Sequence, residues 1–559
     1  MELSPSAYTD TFCRDNLPSL DLWPDLAFTL PELHYPDRLN AADEFLNPVT
    51  GNDRASRRCL LSPTETWRYG EVADRASQVA RVLTENLGLV PGNRVLLRGP
   101  NNPWLAACWL GVLKAGGVAV ATMPMLRAAE LSRICEIAQV QLALCDHRFT
   151  AELAAAAVPG LRIVTFGASD PGDLIAAAAA KPATFASVQT AADDVAMIAF
   201  TSGTTGRPKA AMHFHRDLLA VADTFSARVL KPEPDDLFAG TPPLAFTFGL
   251  GALLLFPLRV GAATLLLEKA TPAELADHIA AQGVTVLSTA PTAYRAMLAA
   301  GKGDQLRGLR RPVSAGEPLP ESTWTAFYEA TGVKIIDGIG STEMLHIFIS
   351  SADDDIRPGS TGRVVPGYTA AIVDADGRPV PDGVLGRLAV KGPTGCRYLS
   401  DERQQSYVRN GWNLTGDTYI RDADGYFWYQ ARSDDMIISG GYNIAGPEIE
   451  DVLLSHPDVA ECGVVGAPDE ARGQIVKAYV ILRAGATGDE AKARELQDLV
   501  KARIAPYKYP RAVEFVTTLP RTNTGKLQRF LLREQAAASA PVPGGHEPEP
   551  PSLKLTPAG

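Results

Sequence analysis

The segment Thr201-Ser-Gly-Thr-Thr-Gly-Arg-Pro-Lys209 is the most informative stretch of this 559-residue chain. It directly follows Val195–Phe200, an apolar run that is typical of a buried β-strand. Its glycines permit tight turns, and its hydroxyls, backbone N–H groups and Lys209 can bind phosphate oxygens. It is not a Walker A loop, because Pro208 stands where that motif needs glycine before its lysine. A flexible surface loop has a similar composition, but this ordered string after a buried strand favours a phosphate-binding loop.

Strands and helices alternate on both sides of this loop, which predicts a parallel sheet covered by helices on both faces. The predicted strands are Arg94–Arg98, Val118–Thr122, Leu142–Cys145, Thr285–Thr289 and Lys334–Asp337, and the predicted helices are Trp104–Ala115, Ala128–Ala138 and one beginning near Thr292. The chain is therefore expected to have an α/β fold.

The pattern changes twice towards the C-terminus. Short strands separated by Asp-Gly turns predict antiparallel β structure, expected to form a distorted β-barrel at about 370–430. After residue 432 the pattern predicts a small α+β unit. Its expected elements are helices Pro447–Leu454 and Glu490–Ile504 and strands Val459–Val465, Val476–Leu482 and Ala512–Val516. The final stretch, 537–559, is rich in Ala, Pro and Gly and is expected to be a disordered tail.

Composition limits the classes of function. The formal net charge is −11, from 53 Lys and Arg against 64 Asp and Glu, which argues against nonspecific nucleic-acid binding. The seven cysteines form no C-x-x-C pair, so free thiols in a reducing compartment are expected. The N-terminus lacks the pattern of a signal peptide, and no apolar run reaches 18 residues. We therefore expect a cytoplasmic protein with neither nucleic-acid nor membrane partners.

Four further motifs follow the phosphate-binding loop. They are Gly338-Ile-Gly-Ser-Thr-Glu343, Leu414-Thr-Gly-Asp417, Arg432-Ser-Asp-Asp-Met-Ile-Ile-Ser-Gly-Gly-Tyr-Asn-Ile444 and Pro520-Arg-Thr-Asn-Thr-Gly-Lys526. Together the five motifs resemble, in the same order, those of the adenylate-forming superfamily of acyl-CoA synthetases, peptide-synthetase adenylation domains and beetle luciferases. The resemblance extends over essentially the whole chain. It implies a large N-terminal domain, residues 1–431, of layered α/β sheets plus the barrel, and a small mobile C-terminal domain, residues 432–536.

The resemblance implies that a carboxylate reacts with ATP to give an acyl-adenylate, which is then transferred to coenzyme A. Lys526 would bridge the carboxylate and the α-phosphate, Thr342 would contact the α-phosphate, and Glu343 would hold Mg²⁺. Asp337 would recognise the adenine amino group, and Asp417 and Arg432 the ribose. The full set of implied ATP-binding residues is Thr201, Ser202, Gly203, Thr204, Thr205, Lys209, Gly316, Glu317, Asp337, Gly338, Ile339, Gly340, Ser341, Asp417 and Arg432.

The C-terminal motif implies a rotation between the two half-reactions. Asp434 matches the hinge position, and Ser439, Gly440, Gly441 and Tyr442 would then face the pantetheine channel. Two positions depart from the family pattern. Ile339 replaces the tyrosine that often stacks on adenine, and Ala431 replaces the glycine that usually precedes Arg432. Both departures concern nucleotide affinity and leave the type of reaction unchanged.

The acyl pocket is expected from three segments, with lining residues Phe246, Thr247, Phe248, Gly249, Ala315, Gly340, His346 and Ile347. The run Asp337–Ile347 resembles the benzoate-CoA ligase branch, while Asn40–Phe45 and Thr122–Arg127 resemble 2-aminobenzoate-CoA ligases. Phe248 offers a flat wall to an aryl ring, and His346 and Ile347 would close the pocket. Thr247 would accept an ortho polar substituent, unless its hydroxyl bonds its own backbone.

Several alternatives remain at this point. The acid could be a medium-chain fatty acid, although Phe248 and His346 make a long tunnel less favourable. A luciferase-type oxygenase shares the first half-reaction. A noncatalytic nucleotide-binding protein would be expected to lose Lys526 or Glu343. The pair His213 and His215 is interpreted as structural, since no further metal ligands accompany it. A monomer and a homodimer both fit the sequence.

Overall fold

The structure is a computed structural model that describes residues 3–46, 54–168, 170, 172–201, 208–432, 435–439, 442–469, 472–504, 506–522 and 525–539. The chain divides into two compact units, Met1–Ser433 and Asp434–Gly559. The boundary lies two residues beyond the one expected from the motifs. Among the described residues, no helix is both long and apolar enough to cross a membrane.

The strands of the large unit are named here in chain order. They are β1 (Arg58–Leu61), β2 (Thr66–Arg68), β3 (Arg94–Arg98), β4 (Val118–Thr122), β5 (Leu142–Asp146), β6 (Arg162–Phe166), β7 (Val195–Thr201), β8 (Lys209–Phe214), β9 (Leu237–Gly240), β10 (Ala263–Leu265), β11 (Val286–Thr289), β12 (Arg311–Ser314), β13 (Ile336–Gly340), β14 (Ile347–Ser350), β15 (Arg363–Val364), β16 (Thr369–Val373), β17 (Gly386–Lys391), β18 (Val408–Arg409), β19 (Trp412–Arg421) and β20 (Phe427–Arg432).

The helices of the large unit mostly follow strands. They are α1 (Phe12–Asp15), α2 (Ala41–Leu46), α3 (Tyr69–Arg81), α4 (Pro103–Lys114), α5 (Ala128–Ala138), α6 (Thr150–Ala155), α7 (Leu174–Ala179), α8 (His215–Val221), α9 (Thr247–Leu250), α10 (Phe256–Val260), α11 (Pro272–Gln282), α12 (Pro291–Ala299), α13 (Glu321–Thr331) and α14 (Gln404–Tyr407). Three π-helical segments, Val82–Asn86, Ala222–Leu230 and Gly251–Leu255, continue α3, α8 and α9.

Two large sheets carry the predicted strand–helix alternation. One has the order β6-β5-β3-β4-β7-β8, parallel except for the antiparallel pair β7–β8. The other has the order β15-β14-β13-β12-β11-β9-β10-β1-β2, with a parallel centre from β1 to β13. Apolar helices such as α4, buried along nearly its whole length, cover these sheets. This confirms the predicted α/β class.

The third sheet of the large unit is antiparallel, as the Asp-Gly turns predict. Its strands run β16-β17-β19-β18, with β20 also paired to β19. In the described residues β16 does not pair with β18 or β20, so the predicted distorted barrel is an open half-barrel. It places the β19 and β20 residues of two motifs side by side.

The small unit is α+β. Its elements are β21 (Ile437–Ser439), β22 (Tyr442–Ile444), α15 (Gly446–Leu454), β23 (Val459–Asp469), β24 (Gly473–Leu482), α16 (Glu490–Arg503), β25 (Ala512–Phe515) and α17 (Arg529–Ala538). β23 and β24 form a long hairpin, and β25 pairs in parallel with β24. Its own core includes Ile449, Leu453, Val480 and Leu496. Helix α17 was not predicted, and it includes the first two residues of the expected 537–559 tail. Residues 540–559 lie outside the described residues.

Candidate active site

Three neighbouring residues lie at the carboxyl edge of the parallel strands β11 and β12. Thr289 and Ser314 end these two strands, and Asp337, the second residue of β13, pairs with Ser314. In open α/β sheets this edge is where ligands bind. Two residues after Ser314 the chain turns at Gly316, whose φ of +91° favours glycine. Gly316, a predicted ATP-binding residue, thus follows the strand end that pairs with Asp337, the residue predicted to recognise the adenine amino group, as a shared site requires.

Burial controls the protonation of Asp337. Desolvation raises the pKa of its carboxyl to about 8, because the charged form loses water around it. Its Oδ1 atom is buried and has no hydrogen-bond partner among the described residues. A buried carboxyl oxygen without a protein partner can accept a hydrogen bond from a ligand, for example from an amino group.

Steric crowding explains why the Gly338–Glu343 motif has glycine at positions 338 and 340. A Cβ at Gly338 would lie 2.8 Å from the Ile347 side chain, and one at Gly340 would lie 2.6 Å from the His346 carbonyl oxygen. Both distances are too short for a real contact. The glycines therefore let β13 approach the chain that returns along β14, and Ile339 between them packs against the main hydrophobic core.

A tight turn follows, from Ser341 to Leu345. Ser341 Oγ accepts a hydrogen bond from the Met344 N–H at 3.2 Å, and the Thr342 carbonyl accepts one from the Leu345 N–H at 3.1 Å. Leu345 is almost fully buried and has φ of +70°, a conformation that is unfavourable for leucine. Backbone strain of this kind persists only where the surroundings enforce it, and it is common at functional sites.

The Glu343 carboxylate is held by a tyrosine. The Tyr398 hydroxyl donates to Glu343 Oε1 at 2.5 Å, and Lys209 Nζ lies 5.3 Å from the centre of the Tyr398 ring. Burial and the nearby Glu343 raise the pKa of Tyr398 well above its usual range, so the phenol stays a donor. Tyr407 extends the cluster, with its hydroxyl 3.3 Å from Ser341 Oγ. Glu343 and Lys209, predicted to serve one nucleotide, are thus brought together around Tyr398.

The antiparallel sheet joins the two predicted ribose residues. Asp417 on β19 is paired in register with Arg432 on β20, and Arg432 Nη1 donates to Asp417 Oδ1 at 3.2 Å. Gly416 makes this approach possible, since a Cβ there would lie 2.8 Å from the Arg432 guanidinium. Asp417 is nearly buried while about half of the Arg432 side chain is exposed. The pair therefore presents one carboxylate fixed in orientation by a cation.

The ends of the first motif are placed by the β7–β8 hairpin. Thr201 ends β7, Lys209 begins β8, and the two residues are cross-strand partners. The predicted residues Ser202, Gly203, Thr204 and Thr205 lie outside the described residues. The motif thus joins β7 to its antiparallel neighbour β8 at one edge of the six-stranded sheet.

Aromatic side chains surround His346. Its ring centre lies 4.6 Å from that of Phe256, 5.5 Å from that of Phe225 and 5.7 Å from that of Phe248. A Cβ at Gly251 would lie 2.3 Å from the imidazole, so only glycine allows this packing. Burial lowers the pKa of His346 to about 3, which keeps the ring neutral near pH 7.

The other predicted acyl-pocket residues lie around this cluster. Thr247 and Gly249 belong to α9, and a Cβ at Gly249 would lie 2.1 Å from the Pro243 carbonyl oxygen. Ala315 and Ile347 belong to the same hydrophobic core as His346's aromatic neighbours, and both are almost fully buried. Among the described residues, no protein group hydrogen-bonds the Thr247 hydroxyl. The alternative that this hydroxyl is occupied by its own backbone therefore loses support.

The small unit carries its predicted residues in a turn and a hairpin. The Lys526 side chain is exposed, and its backbone N–H donates to Thr522 Oγ1 at 3.1 Å. Gly525, with φ of +86°, completes the turn. Ser439 is buried at the end of β21. The hinge Asp434 and the channel residues Gly440 and Gly441 lie outside the described residues, as does the side chain of Tyr442.

The residues around the site that were not predicted include His213, Asp217, Arg397, Tyr398 and Tyr407, together with the aromatic neighbours of His346, Phe225 and Phe256. They come from segments 50 or more residues away from Glu343, and none stands in a recognisable motif. His213 and His215 are both fully buried, and among the described residues there is no cluster of three or more His, Cys, Asp or Glu suited to a metal ion. The charged and aromatic pair Arg397-Tyr398 is the sequence signal that could have drawn attention to Tyr398.

Known proteins share this architecture. Residues 49–398 match the AMP-binding enzyme family, and residues 448–526 match the AMP-binding enzyme C-terminal domain. A benzoate–CoA ligase of Thauera aromatica is 34% identical over 519 residues, covering 91% of this chain and 98% of the relative. The agreement therefore extends over nearly the full length of both chains.

Solved structures agree with these matches. The anthranilate CoA ligase AuaEII in complex with anthranoyl-AMP has a TM-score of 0.86 and 35% identity, covering 91% of this chain and 99% of that one. A benzoate CoA ligase from Burkholderia xenovorans LB400 has a TM-score of 0.81 and 32% identity. The match covers 89% of this chain and 100% of that one. The predicted resemblance is confirmed: this chain belongs to the AMP-binding enzyme family, the adenylate-forming superfamily, and is similar to benzoate-CoA ligases.

Proposed function

We propose that this protein is an AMP-forming aryl carboxylate–CoA ligase that activates benzoate or a 2-aminobenzoate-type acid. The observation that carries the proposal is the position of His346. It follows Glu343 by three residues, so an aromatic cluster of Phe225, Phe248 and Phe256 lies directly after the turn assigned to the nucleotide phosphates. A flat acid bound against this cluster would place its carboxylate beside the α-phosphate.

The large unit supplies the nucleotide-binding groups. Asp337 would accept a hydrogen bond from the adenine amino group, Asp417 would accept from the ribose hydroxyls, and Thr342 would donate to the α-phosphate. Lys209 adds positive charge near Glu343. These groups orient two anions that otherwise repel, which is a large part of what such a reaction requires.

Glu343 fits the binding of Mg²⁺ with ATP. Tyr398 occupies only one carboxylate oxygen, and in the described part of the chain Oε2 has no hydrogen-bond donor. Mg²⁺ is commonly held by one or two carboxylates together with substrate phosphates and water. When bound, it would neutralise phosphate charge, while Tyr398 keeps the carboxylate in place.

The small unit supplies Lys526 for the first half-reaction. Its ammonium group would neutralise charge that grows on the carboxylate and α-phosphate in the transition state. The second half-reaction, transfer of the acyl group to the CoA thiol with release of AMP, would use Ser439, Gly440, Gly441 and Tyr442 after rotation about Asp434. We retain this two-state scheme as part of the proposal.

The Thr247 hydroxyl favours an acid whose aromatic ring carries a polar substituent. Thr247 is largely buried as a residue, and its hydroxyl has no protein hydrogen-bond partner among the described residues. A hydroxyl that a bound acid shields from water gains free energy from a partner, which an ortho amino group can supply. This supports 2-aminobenzoate as the finer assignment over unsubstituted benzoate.

A panel of acids tests the proposal. ATP- and CoA-dependent AMP release would be measured for 2-aminobenzoate, benzoate, 3-hydroxybenzoate, phenylacetate and octanoate. The proposal predicts that kcat/KM for the best benzoate exceeds that for octanoate at least about tenfold, a difference typical of a hydrophobic-pocket mismatch. A preference for octanoate would overturn the aryl assignment, and CoA-independent consumption of O₂ would favour an oxygenase.

A further inference from the structure

Three successive residues of the turn that carries Glu343 accept hydrogen bonds from side chains of distant segments. His213 Nε2 donates to the Thr342 carbonyl at 2.8 Å, the Tyr398 hydroxyl donates to Glu343, and Thr394 Oγ1 donates to the Met344 carbonyl at 2.8 Å. Two of these donors belong to one short segment, Thr394–Tyr398. The third belongs to β8, the strand that begins at Lys209.

The same segment also pairs with β8. The Met212 N–H donates to the Arg397 carbonyl at 2.8 Å, and Leu399 N–H donates to the Ala210 carbonyl at 2.9 Å. The strand after the phosphate-binding loop, the Thr394–Tyr398 segment and the Thr342–Glu343 turn are therefore bonded to one another. A shift in one of them would be transmitted to the other two.

Behind His213 lies a fully buried ion pair. The Arg397 guanidinium donates to Asp217 Oδ2, which also accepts from the Phe214 N–H at 2.9 Å. Asp217 Oδ2 lies 3.8 Å from His213 Nδ1, which is beyond hydrogen-bond distance, and Nδ1 has no hydrogen-bond partner among the described residues. The Arg397 guanidinium also stacks on the Phe214 ring at 4.0 Å. All three polar side chains, His213, Asp217 and Arg397, are inaccessible to solvent.

Stability alone does not explain such a group. A buried ion pair costs so much desolvation that well-packed apolar residues often replace it without loss of stability. Apolar residues also cannot donate a hydrogen bond to a backbone carbonyl, as His213 Nε2 does to Thr342. Hydrogen bonds from side chains behind a functional group commonly hold that group in place.

We propose that His213, Asp217 and Arg397 form a positioning relay that fixes the Thr342 carbonyl and so sets the position of Thr342 and Glu343 against the nucleotide. Arg397 holds Asp217, the Asp217 carboxylate packs 3.8 Å behind the His213 ring without a hydrogen bond to it, and His213 holds the turn. The inference rests on the proposed function only in taking Thr342 and Glu343 as groups that bind Mg²⁺ and ATP. None of the three residues touches the substrate in this scheme.

The test is MgATP binding measured by calorimetry with no carboxylic acid or CoA present. His213→Phe keeps a buried aromatic ring but removes the donor to Thr342, so we expect the MgATP Kd to rise about tenfold. His213→Gln places an amide N–H near the Nε2 position and should restore the Kd to within about threefold of the unmodified protein. Thermal melting of each variant would establish that it is folded.

His215→Phe is the matched control. His215 is equally buried two residues along the chain, but its ring nitrogens bond to the Tyr8 hydroxyl at 3.0 Å and the Ala41 N–H at 3.1 Å, away from the Thr342 turn. This variant should lose stability and keep its MgATP Kd. If His213→Phe does not fold, Arg397→Lys, which keeps the charge but not the planar fork, is expected to raise the Kd three- to tenfold.

The outcomes separate the relay from the ligase proposal. Equal weakening by the two phenylalanine variants, failure of His213→Gln to restore binding, or an unchanged Kd in the folded variants would each overturn the relay. Absence of MgATP binding by the unmodified protein would also overturn it. Tight MgATP binding without aryl-CoA formation would refute the ligase assignment and leave the relay supported.

Discussion

Two turns carry the residues assigned to the adenylation step, and they are built differently. The turn in the large unit, with Thr342 half-buried and Glu343 buried, is held by His213, Tyr398 and Thr394. The turn around Lys526 in the small unit contains two hydrogen bonds between Thr522 and Lys526, and the lysine is exposed. A group that binds the nucleotide in both half-reactions can be fixed in place. A group needed for only one of them is better carried on a separate unit.

The largest expected effect is on Lys526. Lys526→Ala should slow adenylation at least ~10²–10³-fold, as removal of one transition-state donor does in other enzymes. Thioester formation from supplied acyl-adenylate should continue, because the lysine acts before that step. Lys501→Ala, which removes another partly exposed lysine of the small unit, is the control and should change neither rate. Equal losses in both half-reactions for Lys526→Ala would show that the residue is not specific to adenylation.

The second expected effect concerns the hinge. Asp434→Pro fixes one backbone dihedral and should reduce CoA-dependent thioester formation by about 10²-fold while sparing adenylation. Single-turnover assays of the two half-reactions give the two rates separately, with Asp434→Ala as the flexible control. Unaltered thioester formation in the proline variant would contradict the rotation.

The third expected effect concerns the hydrogen bond from the Tyr398 hydroxyl to Glu343. Tyr398→Phe removes a single hydroxyl from a buried ring, and we expect a three- to tenfold loss of kcat and a higher Mg²⁺ requirement. Tyr8→Phe removes a buried hydroxyl that bonds to Val195 and His215, so it controls for the cost of losing a buried hydrogen bond. If both variants lose the same activity, the Tyr398 hydroxyl has no particular role at Glu343.

The fourth expected effect is on the pH dependence of stability. Burial raises the pKa of Asp337 to about 8, above its value in an unfolded chain, near 4. The folded state therefore binds this proton more tightly, and the residue lowers the free energy of unfolding progressively as pH rises from about 4 to 8. Asp337→Asn should remove that loss, so without nucleotide the variant should be more stable than the parent at pH 8, with a smaller difference at pH 5. Urea unfolding at both pH values measures it; a pH-independent difference would contradict the raised pKa.

The smallest expected effect concerns substrate preference. Thr247→Ala should lower the ratio of kcat/KM for 2-aminobenzoate over benzoate by about three- to tenfold, the worth of one hydrogen bond. Thr247→Ser keeps the hydroxyl and should keep the ratio. An unchanged ratio in the alanine variant would show that Thr247 does not bind the ortho amino group.

Much of the fold could be predicted because local pattern and tertiary structure agree. The strand Val118–Thr122 and the helix Ala128–Ala138 have the predicted bounds. The pattern fails where pairing with another strand extends an element: β23 was expected to end at Val465 but continues to Asp469, because β24 pairs with it along its whole length. Helix α17 was not predicted, because its last residues fall in the Ala-, Pro- and Gly-rich stretch whose composition indicated a disordered tail.

The site could be predicted only as far as its motifs reach. Thr342, Glu343, Asp337, Asp417 and Lys526 stand in recognisable strings. Tyr398 and the Asp217–Arg397 pair do not, since their roles depend on contacts between segments that are distant in sequence. His213 was interpreted as structural, and its bond to the Thr342 carbonyl could not be inferred without the fold.

The most direct test of the ligase account is carboxylate-dependent exchange of labelled pyrophosphate into ATP, measured without CoA. The account predicts exchange that requires Mg²⁺ and a benzoate-type acid and falls at least ~10²-fold in Lys526→Ala. Exchange that is absent, that proceeds equally well without an acid, or that survives in Lys526→Ala would contradict it.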